Sequence, residues 1–248
     1  FHGVGKGDDV FHHQSGGSIF LLTFCNGFDK DQCAFFQING VVGDAAALIG
    51  DEIGVFEMLD KGLVEVRNPS LMLISGKPKN TAGTCIACVM EGSRPILAEV
   101  QGLVATSNYG NARRMSTGFD YNRVSMILAV LEKRAGYFFG TCDTYINIVG
   151  GLKLDEPASD LSVAMAVVSS LKDVVVNDDT LAFGEIGLAG EIRGVSNCEQ
   201  RVREAVRLGF SRCIIPRHNL KNLSLKIAGD TEIIGVSNIR EAFEAVTK

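Results

Sequence analysis

The chain has 248 residues, a formal charge of −5 from 24 Lys+Arg against 29 Asp+Glu, 46% hydrophobic residues and 21% charged residues. That balance supplies a core for one large or two small domains, and it excludes both a disordered chain and a generally basic nucleic-acid binder, though not a local basic patch. The longest apolar run, residues 19–24, is far short of the roughly 20 residues a bilayer span needs, so no membrane segment is expected.

Seven cysteines at irregular spacing do not form a secreted disulfide framework, and they point to a reducing, cytoplasmic setting. The chain opens on Phe1 rather than Met with no secretory signal, so a fragment of a longer protein is expected. Residues 1–50 hold seven of the fourteen Phe and two glycine clusters, Gly3, Gly5, Gly7 and Gly16-Gly17, but no helical or strand period. They stay unassigned.

From about Thr84 the pattern sharpens. Residues 85–90 and 96–105 are β-rich runs joined by Glu91-Gly92-Ser93-Arg94-Pro95, which predicts a hairpin. A polar loop over 106–118 follows. Val124, Ile127, Leu128, Leu131 and Ala135 then recur at the spacing of a helix buried on one face, with Asp120 or Asn122 as its cap and Gly136 as its stop. Residues 145–149 read as a strand. Leu161, Ala164, Met165, Val168 and Leu171 repeat the helical stripe, with Pro157 where a helix start tolerates it and Ser159 and Asp160 as caps. Strands are expected at 181–183, 191–195 and 213–216, and helices at 202–208 and 238–246. This order predicts α/β layers around a mixed sheet rather than a doubly wound fold.

Few residues offer independent chemistry. Gly3-Val4-Gly5-Lys6-Gly7 is no phosphate loop, because Gly7 stands where a Ser or Thr must follow the lysine. Cys85 and Cys88 are a lone pair three apart on a strand, so they face opposite ways and cannot share a metal; buried small hydrophobes are expected. His2, His12, His13 and His218 read as surface residues.

Three stretches carry a resemblance: Glu91-Gly92-Ser93-Arg94-Pro95, Phe119-Asp120-Tyr121-Asn122-Arg123 and Leu128-Ala129-Val130-Leu131-Glu132-Lys133-Arg134-Ala135-Gly136. With Gly150-Gly151-Leu152-Lys153-Leu154-Asp155-Glu156-Pro157-Ala158-Ser159-Asp160-Leu161, Phe183-Gly184-Glu185-Ile186-Gly187-Leu188-Ala189-Gly190-Glu191-Ile192-Arg193 and Glu52-Ile53-Gly54-Val55-Phe56-Glu57-Met58, they resemble the C-terminal half of the RadA (Sms) family of bacterial DNA-repair proteins. The resemblance covers about residues 51–248. It implies a Lon-protease-type α/β domain over 71–248, a connecting segment over 51–70 and, at 1–50, an altered or diverged remnant of an ATPase end.

Lon-type proteases use a serine directly after a proline and a lysine base on a later helix. Here Ala158 follows Pro157, and the lysine position falls on Glu199, so both roles are vacant and no protease is expected. Arginines such as Arg201 and Arg203 cannot serve as the base. The remaining alternative is a displaced dyad of Ser159, about 100° further around the helix, with Lys153.

In the family an ATPase motor and a four-cysteine zinc finger precede this domain. Neither is recognisable here, and the family's Lys-Asn-Arg-Phe-Gly motif is replaced by Asp44-Ala45-Ala46-Ala47-Leu48. ATP, magnesium and zinc therefore belong to regions not seen in this chain. The resemblance implies a hexameric ring on DNA that supports branch migration, with the RecA recombinase as a candidate partner. Arg113 and Arg114, in a loop with Tyr109 and Asn111, and Arg123 at a helix start are the candidate phosphate contacts, with Lys133 and Arg134 weaker. A peptidase and a purely structural oligomerisation module are the competing readings.

Overall fold

The computed structural model describes residues 66, 68–107, 112–221, 223–224 and 227–246 in full, together with the backbone of four earlier strands. Those four, β1 (Ile19–Phe24), β2 (Ala34–Gln37), β3 (Glu52–Leu59) and β4 (Gly62–Glu65), form an antiparallel sheet in the order β2-β1-β3-β4. Strands thus occur within residues 1–50, where the sequence showed no period. The Gly3–Gly7 stretch, His2, His12, His13 and residues 44–48 lie outside the described residues.

The main body is a three-layer assembly around a seven-stranded mixed sheet. Its strands are β5 (Thr84–Glu91), β6 (Arg94–Thr106), β7 (Arg114–Thr117), β8 (Cys142–Ile148), β9 (Thr180–Ala182), β12 (Arg212–Pro216) and β13 (Glu232–Val236), in the order β13-β12-β9-β5-β6-β8-β7. The expected hairpin is β5–β6, antiparallel from Thr84↔Gln101 to Glu91↔Arg94. Gly92 takes φ 58° at the first position of its two-residue turn, a backbone that glycine adopts without steric cost. The expected 106–118 loop contains β7, which pairs in parallel with β8 and forms one edge of the sheet. Four residues are too short for a periodic signal. A two-stranded ribbon, β10 (Glu185–Ile186) with β11 (Ile192–Arg193), sits beside the sheet.

One face of the sheet is covered by α2 (Tyr121–Val130), α3 (Asp160–Lys172) and α6 (Ile239–Glu244), and the other by α4 (Cys198–Arg207) and the short α5 (Arg217–Leu220), while α1 (Pro69–Ile74) gives Leu73 to the first core and Ile74 to the second. Asp120 caps α2, its carboxylate accepting the Arg123 N–H at 2.8 Å, and Gly136 stops the helix at φ 79°. Between them α2 widens into one π turn over Leu131–Ala135, which adds a residue that no 3.6-residue stripe anticipates.

α3 departs from the one-face expectation. Every residue from Asp160 to Ser169 is buried, because Val163, Ala166 and Val167, which lie off the stripe, are as apolar as those on it. Its serines serve the strands: Ser169 Oγ accepts the Gly83 N–H and Ser170 Oγ accepts the Val104 N–H. The elements α1, α5 and β13 had no counterpart in the sequence reading.

Candidate functional site

The chain leaves β8 through Gly150 and Gly151, both at positive φ, buries Leu152 and Leu154, and turns at Pro157–Ser159 into α3. Ala158 is buried, and its carbonyl accepts the Gly184 N–H at 2.7 Å while Gly184 O accepts the Leu161 N–H at 3.1 Å. The position that the resemblance assigns to a nucleophile therefore presents a methyl group inside packed backbone. Glu199, at the lysine position, is exposed in the first turn of α4 and pairs with Arg203.

The alternative dyad is not assembled. Ser159 is fully buried and its hydroxyl donates to Glu156 O at 2.6 Å, whereas Lys153 is exposed and shares no bond with it. The expected capping by Ser159 and Asp160 is also overturned. Ser159 makes no cap hydrogen bond, and the Asp160 carboxylate turns away from its own helix to Arg123 and to the Ile186 N–H.

What fills this region is Arg201. It is fully buried, with its guanidinium donating to Ser196 O at 3.1 Å, to Cys88 O at 2.5 Å and to the Glu156 carboxylate, and lying 5.6 Å from the centre of the Phe183 ring. The other Glu156 oxygen accepts the Met90 N–H at 2.9 Å. A buried charge needs this degree of pairing to be tolerated. The sequence carried a signal for it, since Cys198, Arg201, Val202 and Ala205 fall at i, i+3, i+4 and i+7, which puts the arginine on the apolar face of α4. Nearby, Ser70 of α1 donates to Glu204 at 3.0 Å and accepts the Leu97 N–H at 3.1 Å, while Arg207 closes on Glu204.

Arg123 and Asp160 form a bidentate pair with both contacts at 2.5 Å. Burial pushes the Asp160 carboxyl above its ordinary range, against the pull of the Arg123 hydrogen bonds, and Asp160 in turn holds Arg123 more firmly protonated. The pair borders a cleft of about 290 Å³ between α2 and the β10–β11 ribbon, with Met126, Val130, Leu188 and Arg193 in its walls. Arg123 is thus committed to an intramolecular partner.

Arg113 is exposed; its backbone N–H donates to Asp143 Oδ1 at 2.7 Å and its carbonyl accepts the Thr144 N–H at 2.8 Å. Arg114 opens β7 and is half-buried, so of the two arginines expected in a loop Arg113 lies just before the edge strand and Arg114 within it. Tyr109 and Asn111 lie outside the described residues. Lys133 and Arg134 are exposed, with Arg134 Nε donating to Leu188 O at 3.4 Å.

Cys85 and Cys88 belong to the cores on opposite faces of the sheet, and burial pushes the Cys85 thiol up to about 12. His218 is exposed. Among the described residues no group of three or more His, Cys, Asp or Glu could hold a metal, and no helix is long and apolar enough to cross a membrane.

Comparison with known proteins adds two findings. A family model described as subunit ChlI of Mg-chelatase matches residues 108–219. Proteins named DNA repair protein RadA are similar over most of the chain: that of Listeria monocytogenes is 48% identical over 194 residues, 78% of this chain and 42% of the relative. That of Bacillus subtilis is 48% identical over 192 residues, 77% of this chain and 42% of the relative. That of Streptococcus pneumoniae is 48% identical over 196 residues, 79% and 46%. The chain spans less than half the length of these relatives.

Proposed function

From this homology to proteins named DNA repair protein RadA, we propose that the chain is the C-terminal part of a RadA-type DNA repair and recombination protein. In this reading residues 71–248 are a Lon-type, protease-dead domain that contributes ring assembly and DNA contact to branch migration, with 51–70 as the connection to what precedes it. The single observation that supports the non-proteolytic part is what occupies the expected dyad positions: Ala158 in packed backbone and Glu199 on the surface, with the buried Arg201 paired to the half-buried Glu156.

A serine protease needs a nucleophile and a base within hydrogen-bond reach, and neither group is offered here. Residues 3–7 supply no phosphate loop to this reading, because Lys6 is followed by Gly7 instead of the hydroxyl such a loop requires. A motor on another part of the protein, and the RecA recombinase as partner, complete the proposal.

Arg113 and Arg114 carry the DNA contact. Arg113 stands immediately before the edge strand β7 and Arg114 opens it, so both lie at one end of that edge, where forked donors suit backbone phosphates. The test is fluorescence anisotropy of a labelled forked DNA with the whole chain at low and moderate salt, alongside the Arg113→Ala/Arg114→Ala variant. Binding should fall steeply with salt, and the variant should bind more weakly with a slope reduced by roughly one per lost phosphate contact. Absent or salt-independent binding overturns the DNA reading and leaves an assembly scaffold.

A further inference from the structure

The C-terminal end of α3 borders a cavity of about 250 Å³. Its walls are Met165 and Val168 of α3, Val174 and Val176 of the segment that follows, Tyr137 beyond the π turn and Phe243 of α6. Met165, Val168, Val176 and Phe243 are buried, and Tyr137 meets Phe243 edge-on with ring centres 5.3 Å apart. Close-packed interiors leave few voids larger than a water molecule, so a hollow of this size among buried apolar side chains is more than a packing gap.

Water is a poor occupant. An ordered water needs about two to four polar partners, and these walls offer few. The Ser169 hydroxyl is already committed, since it accepts the Gly83 N–H at 2.8 Å and donates to Val174 O at 2.6 Å. Two polar side-chain groups remain in the lining, the Tyr137 hydroxyl and the Lys172 ammonium. Burial raises the Tyr137 hydroxyl above its ordinary range, which keeps it a hydrogen-bond donor.

Lys172 is the one charged residue of the lining. Its ammonium lies 5.4 Å from the centre of the Tyr137 ring, and among the described residues no carboxylate forms an ion pair with it. Further out, Arg240 and Glu244 act on the Tyr137 hydroxyl in opposite senses, and Asp173, next to Lys172 in the chain, lies outside the lining. The last carbonyls of α3 are satisfied as well, Ser169 O by the Val174 N–H at 3.0 Å and Ser170 O by the Asp173 N–H at 3.4 Å. The Lys172 charge therefore sets the local sign, rather than the helix end.

The chemistry of the walls selects a ligand with a hydrocarbon body and one negative charge. A phosphate monoester carries nearly two charges at neutral pH, of which one ammonium balances only one. A carboxylate carries one, and it can accept hydrogen bonds from both an ammonium and a phenol. The volume falls just below the roughly 300–1,000 Å³ of sites for drug-sized molecules, which sets the body at medium chain length.

We infer that this cavity binds a medium-chain monocarboxylate, its hydrocarbon tail against Met165, Val168 and Phe243 and its carboxylate on Lys172. The site lies at the opposite end of α3 from the Arg123–Asp160 cleft, and it stands independently of the DNA reading.

Isothermal titration calorimetry of the whole chain with octanoate, 1-octanol and acetate tests it. Octanoate should bind at one per chain, while 1-octanol, which lacks the charge, and acetate, which lacks the tail, should each bind about tenfold more weakly or worse. Lys172→Met keeps the apolar stem and loses the charge, so it should weaken octanoate about tenfold and leave 1-octanol unchanged. Lys221→Met, at an exposed lysine elsewhere, should bind octanoate as the parent does. Equal affinity of the parent for octanoate and 1-octanol overturns the inference, and that comparison needs no variant to fold. Octanoate that does not bind, that binds Lys172→Met as tightly as the parent, or that is weakened equally by Lys221→Met overturns it too.

Discussion

β5 and β8 belong to one sheet and flank the same strand, yet β5 is buried at every position from Thr84 to Val89 while β8 from Thr144 to Ile148 is buried only at every second residue. The difference is coverage. β5 lies between α3 on one face and α4 on the other, so its sequence, Thr-Cys-Ile-Ala-Cys-Val, has no polar side to show. β8 has α3 on one face and water on the other, so Thr144, Ile146 and Ile148 alternate with Tyr145 and Asn147. A continuous apolar run marks the half of the sheet that holds the fold together. Strict alternation marks the half that is free to meet something else.

The sharpest way to break this comparison is to disturb the buried half. Arg201→Ala would leave Glu156 and Cys88 O without their donor, and such a loss costs about 3–5 kcal/mol, read as a fall in the urea midpoint. Replacing Arg201 and Glu156 together by methionine should recover most of that loss, because it removes both charges instead of stranding one. If Arg201→Ala proves as stable as the parent, the buried pair is not what holds α4 to the start of α3.

Two adjacent residues of β6 give a finer contrast. Gly102→Ala drives a methyl into the α3 backbone and should cost about 1–3 kcal/mol, whereas Leu103→Ser, on the open face, should stay within roughly 0.5 kcal/mol. Equal effects at the two positions would mean the second face is covered after all. Differential scanning calorimetry of both variants decides it.

The smallest effect is a titration. Burial raises the Cys85 and Cys213 thiols to about 12 in the folded chain, against roughly 8.5 for an unfolded thiol. Above that unfolded value the unfolded chain loses thiol protons that the folded chain keeps. Their stabilising contribution is therefore full below about pH 8.5 and declines as pH rises toward the folded value. At pH ~9.5 the parent should have lost roughly 1 kcal/mol per buried thiol, and Cys85→Ala should show a shallower decline. An identical pH slope in parent and variant would place Cys85 outside the buried half.

Much of this was legible locally. The hairpin through Gly92, the Asp120 cap, the Gly136 stop and the opposed faces of Cys85 and Cys88 each follow from a spacing of a few residues, and the structure has them where that spacing puts them. The residue types at Ala158 and Glu199, the positions that the resemblance gives to a dyad, were equally visible. Partners distant in sequence were not. Asp160 looked like a cap until Arg123, 37 residues away, claimed its carboxylate, and nothing in the spacing around Arg201 named Glu156, 45 residues away, as the partner of its buried guanidinium.

The sequence by itself determined most of the alternation of strands and helices, and the Asp120 cap and Gly136 stop of α2, because these depend on side-chain type and on periods shorter than a dozen residues. Only the tertiary structure decided that β7 closes the sheet as a parallel edge, that α3 is enclosed on all sides, and that Leu103, Tyr145 and Met115 share one open row. Burial and strand register are set by what packs from elsewhere in the chain, and no local pattern records which faces the distant helices leave uncovered.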